Sequence, residues 1–98
     1  VLAKNVQEYF AEIIHGGLFT KSRSIKKLRK QFGLKKDQVL YVGDESRDMH
    51  AARRAGVESM AVTWGVQGEE SLLKTRPTML AHTATEAEHL MKAWIVSR

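Results

Sequence analysis

The sequence predicts an α/β fold in which a parallel sheet carries helices on both faces, and three observations lead there. Short apolar, strand-like runs alternate with helix-like segments along the chain. Three of those runs stop at a glycine, at Gly16, Gly43 and Gly65. The run Val39–Val42 is unbroken in its hydrophobicity, as strands buried on both faces are.

Taken in order, Leu2–Phe10 reads as the end of a helix and Ala11–His15 as a short strand carrying Ile13 and Ile14. Gly16 and Gly17 form a turn into a basic helix, with Ile25, Leu28 and Phe32 on one face and Gly33 at its C-cap. Val39–Val42 is the buried strand, and Ser46–Ala55 a helix closed by Gly56. Ser59–Trp64 reads as the next strand, Glu69–Lys74 as a short helix before Pro77, and Thr78–His82 as the last strand. Thr83 and Glu86 fit a capping box that opens a final helix. Ala87, Leu90, Met91, Trp94 and Ile95 then form one apolar face.

At 98 residues the chain holds one small domain, with 43% hydrophobic and 28% charged residues. It has no cysteine, which excludes disulfides and thiolate metal sites. No apolar run reaches the length of a membrane span and no signal-peptide pattern opens the chain, so a soluble, cytoplasmic protein is the default expectation. The net charge of +5 favours anionic partners. Eight basic residues lie between Lys21 and Lys36. They read as a solvated helix face; nucleic-acid binding is the alternative, without aromatic interleaving or a known motif behind it.

Ligands of parallel α/β sheets sit beyond the carboxyl ends of the strands, where the glycine turns should share one rim. Asp44 stands at the end of a strand there, and Asp48 in the first turn of the next helix. Two carboxylates brought toward one point repel, and a shared proton or a cation relieves this. With oxygen ligands only, magnesium is the natural cation. Equally, Asp44 or Glu45 could cap the helix while Asp48 complements its dipole. Spacing alone leaves both readings open.

The string GDESRD, followed by MHAARRAGV and then MAVTWG, resembles the fourth motif of the haloacid dehalogenase superfamily of magnesium-dependent phosphohydrolases, phosphoglycolate-phosphatase-like members above all. Upstream, LFTKSRSIKKLRKQFGLKKDQVLYVGDE is similar to that family's third-motif lysine, its helix and the approach to the fourth motif. Downstream, GVQGEESLLKTRPTMLAHTATEAEHL is similar to its last strand and helix. The resemblance implies a Rossmann-like three-layer α/β/α core. It makes Asp44 the direct magnesium ligand and Asp48 the second acid, acting through water or by orienting the site. It makes Lys21 the lysine that neutralises the nucleophile and the transferred phosphoryl group of a small phosphorylated metabolite.

The sequence also departs from that pattern. The family attacks phosphate with an aspartate in DxDxT or DxDxV, whereas the aspartates here are Asp37, Asp44 and Asp48, with no DxD. The lysine context is TKSRS rather than lysine–proline, and the second-motif serine or threonine is missing. KNVQEYF resembles the segment immediately downstream of that second motif. The expectation is therefore the C-terminal portion, residues 1–98, of one hydrolase core domain, with nucleophile strand and cap upstream and no turnover by this chain alone. Such a piece should expose a sheet edge and self-associate through it. The competing class is a non-catalytic, magnesium-binding α/β regulatory module. Among single residues, Trp64 is expected to pack on a helix, and Ser22 and Ser24 to start the helix after Lys21. His15, His50, His82 and His89 are scattered without metal-ligand spacing.

Overall fold

The computed structural model of the chain describes residues 2–4, 9–11, 18–65 and 67–97. Among these, five strands, β1 (Leu2–Lys4), β2 (Tyr9–Ala11), β3 (Val39–Gly43), β4 (Glu58–Val62) and β5 (Met79–Ala81), make one sheet in the order β2-β1-β3-β4-β5. The helices are α1 (Leu18–Gln31), α2 (Ser46–Ala55), α3 (Glu69–Leu73) and α4 (Ala84–Ser97), with a 3₁₀ turn at Lys36–Gln38. β3, β4 and β5 run parallel, with Leu40 opposite Glu58 and Met60 opposite Met79. Each parallel step is bridged by a helix, as the alternating pattern requires.

The N-terminal segment departs from expectation. In place of a helix end over Leu2–Phe10, β1 lies antiparallel to β3, with Leu2 opposite Leu40, and β2 lies antiparallel to β1. The sheet is therefore mixed. The outer edge of β3 offers a row of backbone N–H and C=O groups that an extended segment satisfies and a helix does not. The edges of the sheet are β2 and β5, and the β3 edge is paired. Of the strand expected over Ala11–His15, Ala11 belongs to β2; Ile13, Ile14 and the Gly16–Gly17 turn lie outside the described residues.

Two glycines end two helices in the same way. At α2, Gly56 takes φ 76° while the N–H groups of Gly56 and Val57 donate to the carbonyls of Arg53 and Ala52, both at 3.0 Å. At α1, Gly33 takes φ 63°, and the N–H groups of Gly33 and Leu34 donate to Lys30 at 3.2 Å and Arg29 at 2.9 Å. Both are Schellman motifs, which need a left-handed residue and usually turn the next apolar side chain back onto the protein. That geometry corrects one expected core position. Phe32 lies past the last helical residue and is 47% exposed, while Leu34, beyond the turn, is 5% exposed and joins Ile25 in the core.

Alternation along the strands sorts the core into layers. Val39 and Tyr41 face α1 and α2, against Ile25, Ala51, Ala52 and Ala55. The small alanines of α2 let that helix lie close to the sheet while α1 packs over it. Leu40, Met60, Val62 and Ala81 face the other way, onto Ala87 and Trp94 of α4, with Leu90, Met91 and Ile95 beside them. Helix α3 covers the α2 side through Leu72, against Met49 and Ala61. The result is a three-layer α/β/α arrangement with a parallel sheet at its centre and an antiparallel pair at one edge. Among the described residues, no helix is long and apolar enough to cross a membrane.

Candidate active site

Strand β3 ends at Gly43, and the missing side chain there shapes the rim. A Cβ on Gly43 would overlap the Asp48 side chain, so glycine is what lets Asp48 lie over the strand end. Asp48 is the third residue of α2 and only 5% exposed. Its Oδ2 accepts the Glu45 backbone N–H at 3.1 Å, a hydrogen bond that ties down the start of α2. Its Oδ1 accepts the ammonium of Lys21. Tyr41, two residues before Gly43 and so on the same face of β3, donates its hydroxyl to Asp48 as well. Burial foremost, then the charge of Asp48 and the hydrogen bond to it, raise the Tyr41 phenol well above its usual pKa.

Lys21 is the fourth residue of α1, which begins at Leu18. It lies inside that helix and not ahead of it, as do Ser22 and Ser24, so neither serine starts the helix. Ser22 is buried at 2% exposure. Packing of α1 on α2 brings Lys21 to Asp48 across 27 residues of sequence. One of the three ammonium protons is used there, which leaves two.

Asp44 follows directly after β3 and is half-buried. A Cβ on Gly65, in the turn after β4, would fall onto the Asp44 carboxylate, so the two strand ends close together through a second glycine. Among the described residues no hydrogen bond or ion pair engages that carboxylate. The two aspartates thus differ: Asp48 is held from three directions, while the Asp44 carboxylate, lying against Gly65, has no polar partner among the described residues. The structure brings Lys21 and Asp48 into contact and sets Asp44 on the same rim, while the Gly16 turn lies outside the described residues.

The rim continues into a shallow concavity lined by Glu45, Ser46, Arg47 and Gln67, where Gln67 Oε1 accepts the Ser46 backbone N–H. Trp64, expected to pack on a helix, is 53% exposed in the turn between Val62 and Gly65. The reason is local: β4 ends at Val62, so Trp64 is already off the sheet. Sequence reasoning also missed His82 beyond the end of β5. Its Nε2 lies 2.7 Å from Glu69 and its Nδ1 3.3 Å from Glu86, and these hydrogen bonds, Glu69 first, raise its pKa. The readable signal was the four-residue step from His82 to Glu86, which places both at the start of α4.

Among the described residues no group of three or more His, Cys, Asp or Glu side chains could hold a metal ion. Magnesium does not need such a cage, since it takes one or two carboxylates and completes its shell with water and substrate phosphate. Asp44, with unengaged oxygens at a strand end, fits a direct ligand of that kind. Asp48, whose oxygens already accept Lys21 and Glu45, fits a supporting acid.

A family model described as haloacid dehalogenase-like hydrolase matches residues 2–62. The phosphoglycolate phosphatase of Synechococcus elongatus is 38% identical over 69 residues, covering 70% of this chain and 32% of that protein. The phosphoglycolate phosphatase of Aliivibrio fischeri is 32% identical over 76 residues, covering 74% of this chain and 34% of that protein. Among solved structures, a haloacid dehalogenase-like family hydrolase from Streptococcus pneumoniae aligns with a TM-score of 0.67 and 28% identity, over 71% of this chain and 33% of that one. The chain therefore spans about a third of the length of the relatives it matches.

Proposed function

The chain belongs to the haloacid dehalogenase-like hydrolase family, and on that premise we propose that it forms the metal- and phosphate-binding side of a magnesium-dependent phosphatase. The substrate class is a small phosphorylated metabolite, with phosphoglycolate the candidate suggested by the names of its relatives. The observation that carries this reading is the contrast between the two aspartates. Asp44 has no polar partner among the described residues and stands on the same rim as an Asp48 held by Lys21, Tyr41 and the Glu45 N–H.

Asp44 would bind magnesium directly and Asp48 would steady the site beside it. The ion, when bound, supplies the positive charge that offsets the phosphoryl oxygens. Lys21 adds a second cation from the α1 side. Held on Asp48 by one proton, its ammonium can give the others to phosphate oxygens without moving. Asp48 keeps that ammonium in place, and Gly43 and Gly65 leave room for both carboxylates. Of the three aspartates in these 98 residues, none stands in a DxD arrangement. The chain by itself is therefore expected to bind magnesium and phosphate at this rim without hydrolysing phosphate esters.

The test is a magnesium titration followed by amide NMR, repeated with inorganic phosphate present. Saturable shifts at Asp44 and Gly65, lost in Asp44→Asn, are expected. Phosphate should then perturb the start of α1 in a magnesium-dependent way. Wild-type magnesium binding retained by Asp44→Asn would overturn the assignment.

A further inference from the structure

At the end of the sheet opposite Asp44, where β4 and β5 begin, α2 ends over a recess of about 200 Å³ lined by Met49, Arg53, Gly56, Ser59, Arg76 and Thr78, among others. Among the described residues no carboxylate lines it. Arg53 donates through Nη2 to the carbonyls of Thr75 and Arg76, which fixes the loop before β5. That loop carries Arg76 at φ 53°, a left-handed conformation that a residue with a side chain adopts only when its surroundings hold it there. The Arg76 side chain is exposed and has no partner among the described residues. Lys36 lies across Gly56, close enough that a Cβ on that glycine would sit 3.1 Å from its ammonium nitrogen.

Two hydroxyls complete the wall. The Thr78 N–H donates to Ser59 Oγ at 3.3 Å, and the Ser59 N–H donates to Thr78 Oγ1 at 3.1 Å. Each hydroxyl oxygen is an acceptor in this reciprocal pair and keeps its own proton. Among the described residues neither proton has an acceptor. Ser59 is 7% exposed, and both hydroxyls line the recess, where their protons are available to a ligand or to water. The C-terminal end of α2 contributes roughly half a negative charge here. That is less than the three positive charges of Arg53, Arg76 and Lys36.

We propose that this recess is a second anion site, binding a phosphate group, free or as the end of a small ester, through Arg76, Lys36 and the hydroxyls of Ser59 and Thr78. A guanidinium fork matches a tetrahedral oxyanion, and phosphate oxygens accept what the two hydroxyls have left to give. A recess of about 200 Å³ has room for one phosphate group with part of its water shell. It is smaller than the sites of roughly 300–1,000 Å³ that take drug-sized ligands, which argues against a whole nucleotide. The site shares no residue with the Asp44 rim, so neither reading depends on the other.

The experiment is an amide NMR titration of the chain with inorganic phosphate in EDTA, which silences magnesium-dependent binding at the other rim, against sodium chloride at matched ionic strength. Saturable shifts at Gly56, Ser59 and Thr78 are expected with phosphate and not with chloride. Arg76→Gln, at an exposed position, should weaken binding by about tenfold or more, and Ser59→Ala by several-fold. Glycerol 3-phosphate titrated in parallel distinguishes the sources: tighter binding assigns an ester, and equal binding the free ion. Shifts that chloride reproduces, or an unchanged affinity in Arg76→Gln with an intact spectrum, would overturn the proposal.

Discussion

The ammonium of Lys21 donates to Oδ1 of Asp48 with both side chains largely withdrawn from water, at 12% and 7% exposure. This one contact fastens α1 to the start of α2 and also places the cation of the candidate site. Removing either partner strands the other in a poorly hydrated place. Lys21→Met is therefore expected to lower unfolding stability by about 3 kcal/mol, near the low end for broken buried pairs because some solvent remains. Urea denaturation measures it. The double variant Lys21→Met/Asp48→Asn should recover part of the loss, and strictly additive losses would contradict a shared interaction.

Asp44 has the opposite balance. With no partner among the described residues, its charge gains little from the fold. Asp44→Asn should leave the thermal midpoint unchanged or raise it, while abolishing the magnesium response. Functional groups held for a ligand often carry such a cost in stability. A drop in stability as large as that of Lys21→Met would mean that Asp44 has a structural partner after all.

The two rim glycines make a paired prediction. Alanine at Gly65 puts a methyl group where the Asp44 carboxylate lies, and alanine at Gly43 puts one where Asp48 lies. The clash at Gly65 reaches the Asp44 Cβ as well as its carboxylate, so rotating the side chain does not relieve it and the turn after β4 must shift. Gly65→Ala should therefore weaken magnesium binding by about tenfold and also cost about 1–3 kcal/mol of stability. Asp48 is pinned by Lys21 and Glu45, so Gly43→Ala should cost about 1–3 kcal/mol as the α2 start is pushed off the strand. Calorimetry with and without magnesium separates the two effects.

Where the chain's own local chemistry decides, the sequence was readable. Helix α2 spans Ser46–Ala55 and closes at Gly56 because a glycine in the left-handed region ends a helix wherever it occurs. Strand β3 was legible from its unbroken apolar run, and Asp44 and Asp48 from their spacing around its end. What escaped was set by partners distant in sequence. β1 is a strand because the edge of β3 needs hydrogen bonds, which Leu2–Phe10 alone does not announce. Phe32 and Leu34 exchange places because a Schellman turn reverses which one points inward. The contact of Tyr41 with Asp48 depends on the absent side chain of Gly43, a steric fact with no periodic signature.

His82 gives the pH prediction. Its hydrogen bonds to Glu69 and Glu86 favour the charged ring, so its pKa in the folded chain lies above the ordinary value of 6.5. Protonation and folding therefore support one another. The contribution of His82 to stability is fully present below about pH 6.5 and is lost as pH rises through the higher folded value. The residue bridges the first residue of α3 to the first turn of α4. The loop that ends at α3 also carries Gln67, which holds the Ser46 N–H at the candidate site. Weakening at alkaline pH should therefore loosen α3 before the rest of the fold, visible as faster amide exchange over Glu69–Leu73. Ring NMR of His82 should titrate above the value of a free histidine, and His82→Gln should flatten the pH dependence of the thermal midpoint above about pH 6.5. A ring that titrates at or below the ordinary histidine value would sink this account, because the two glutamates would then hold no charge on it.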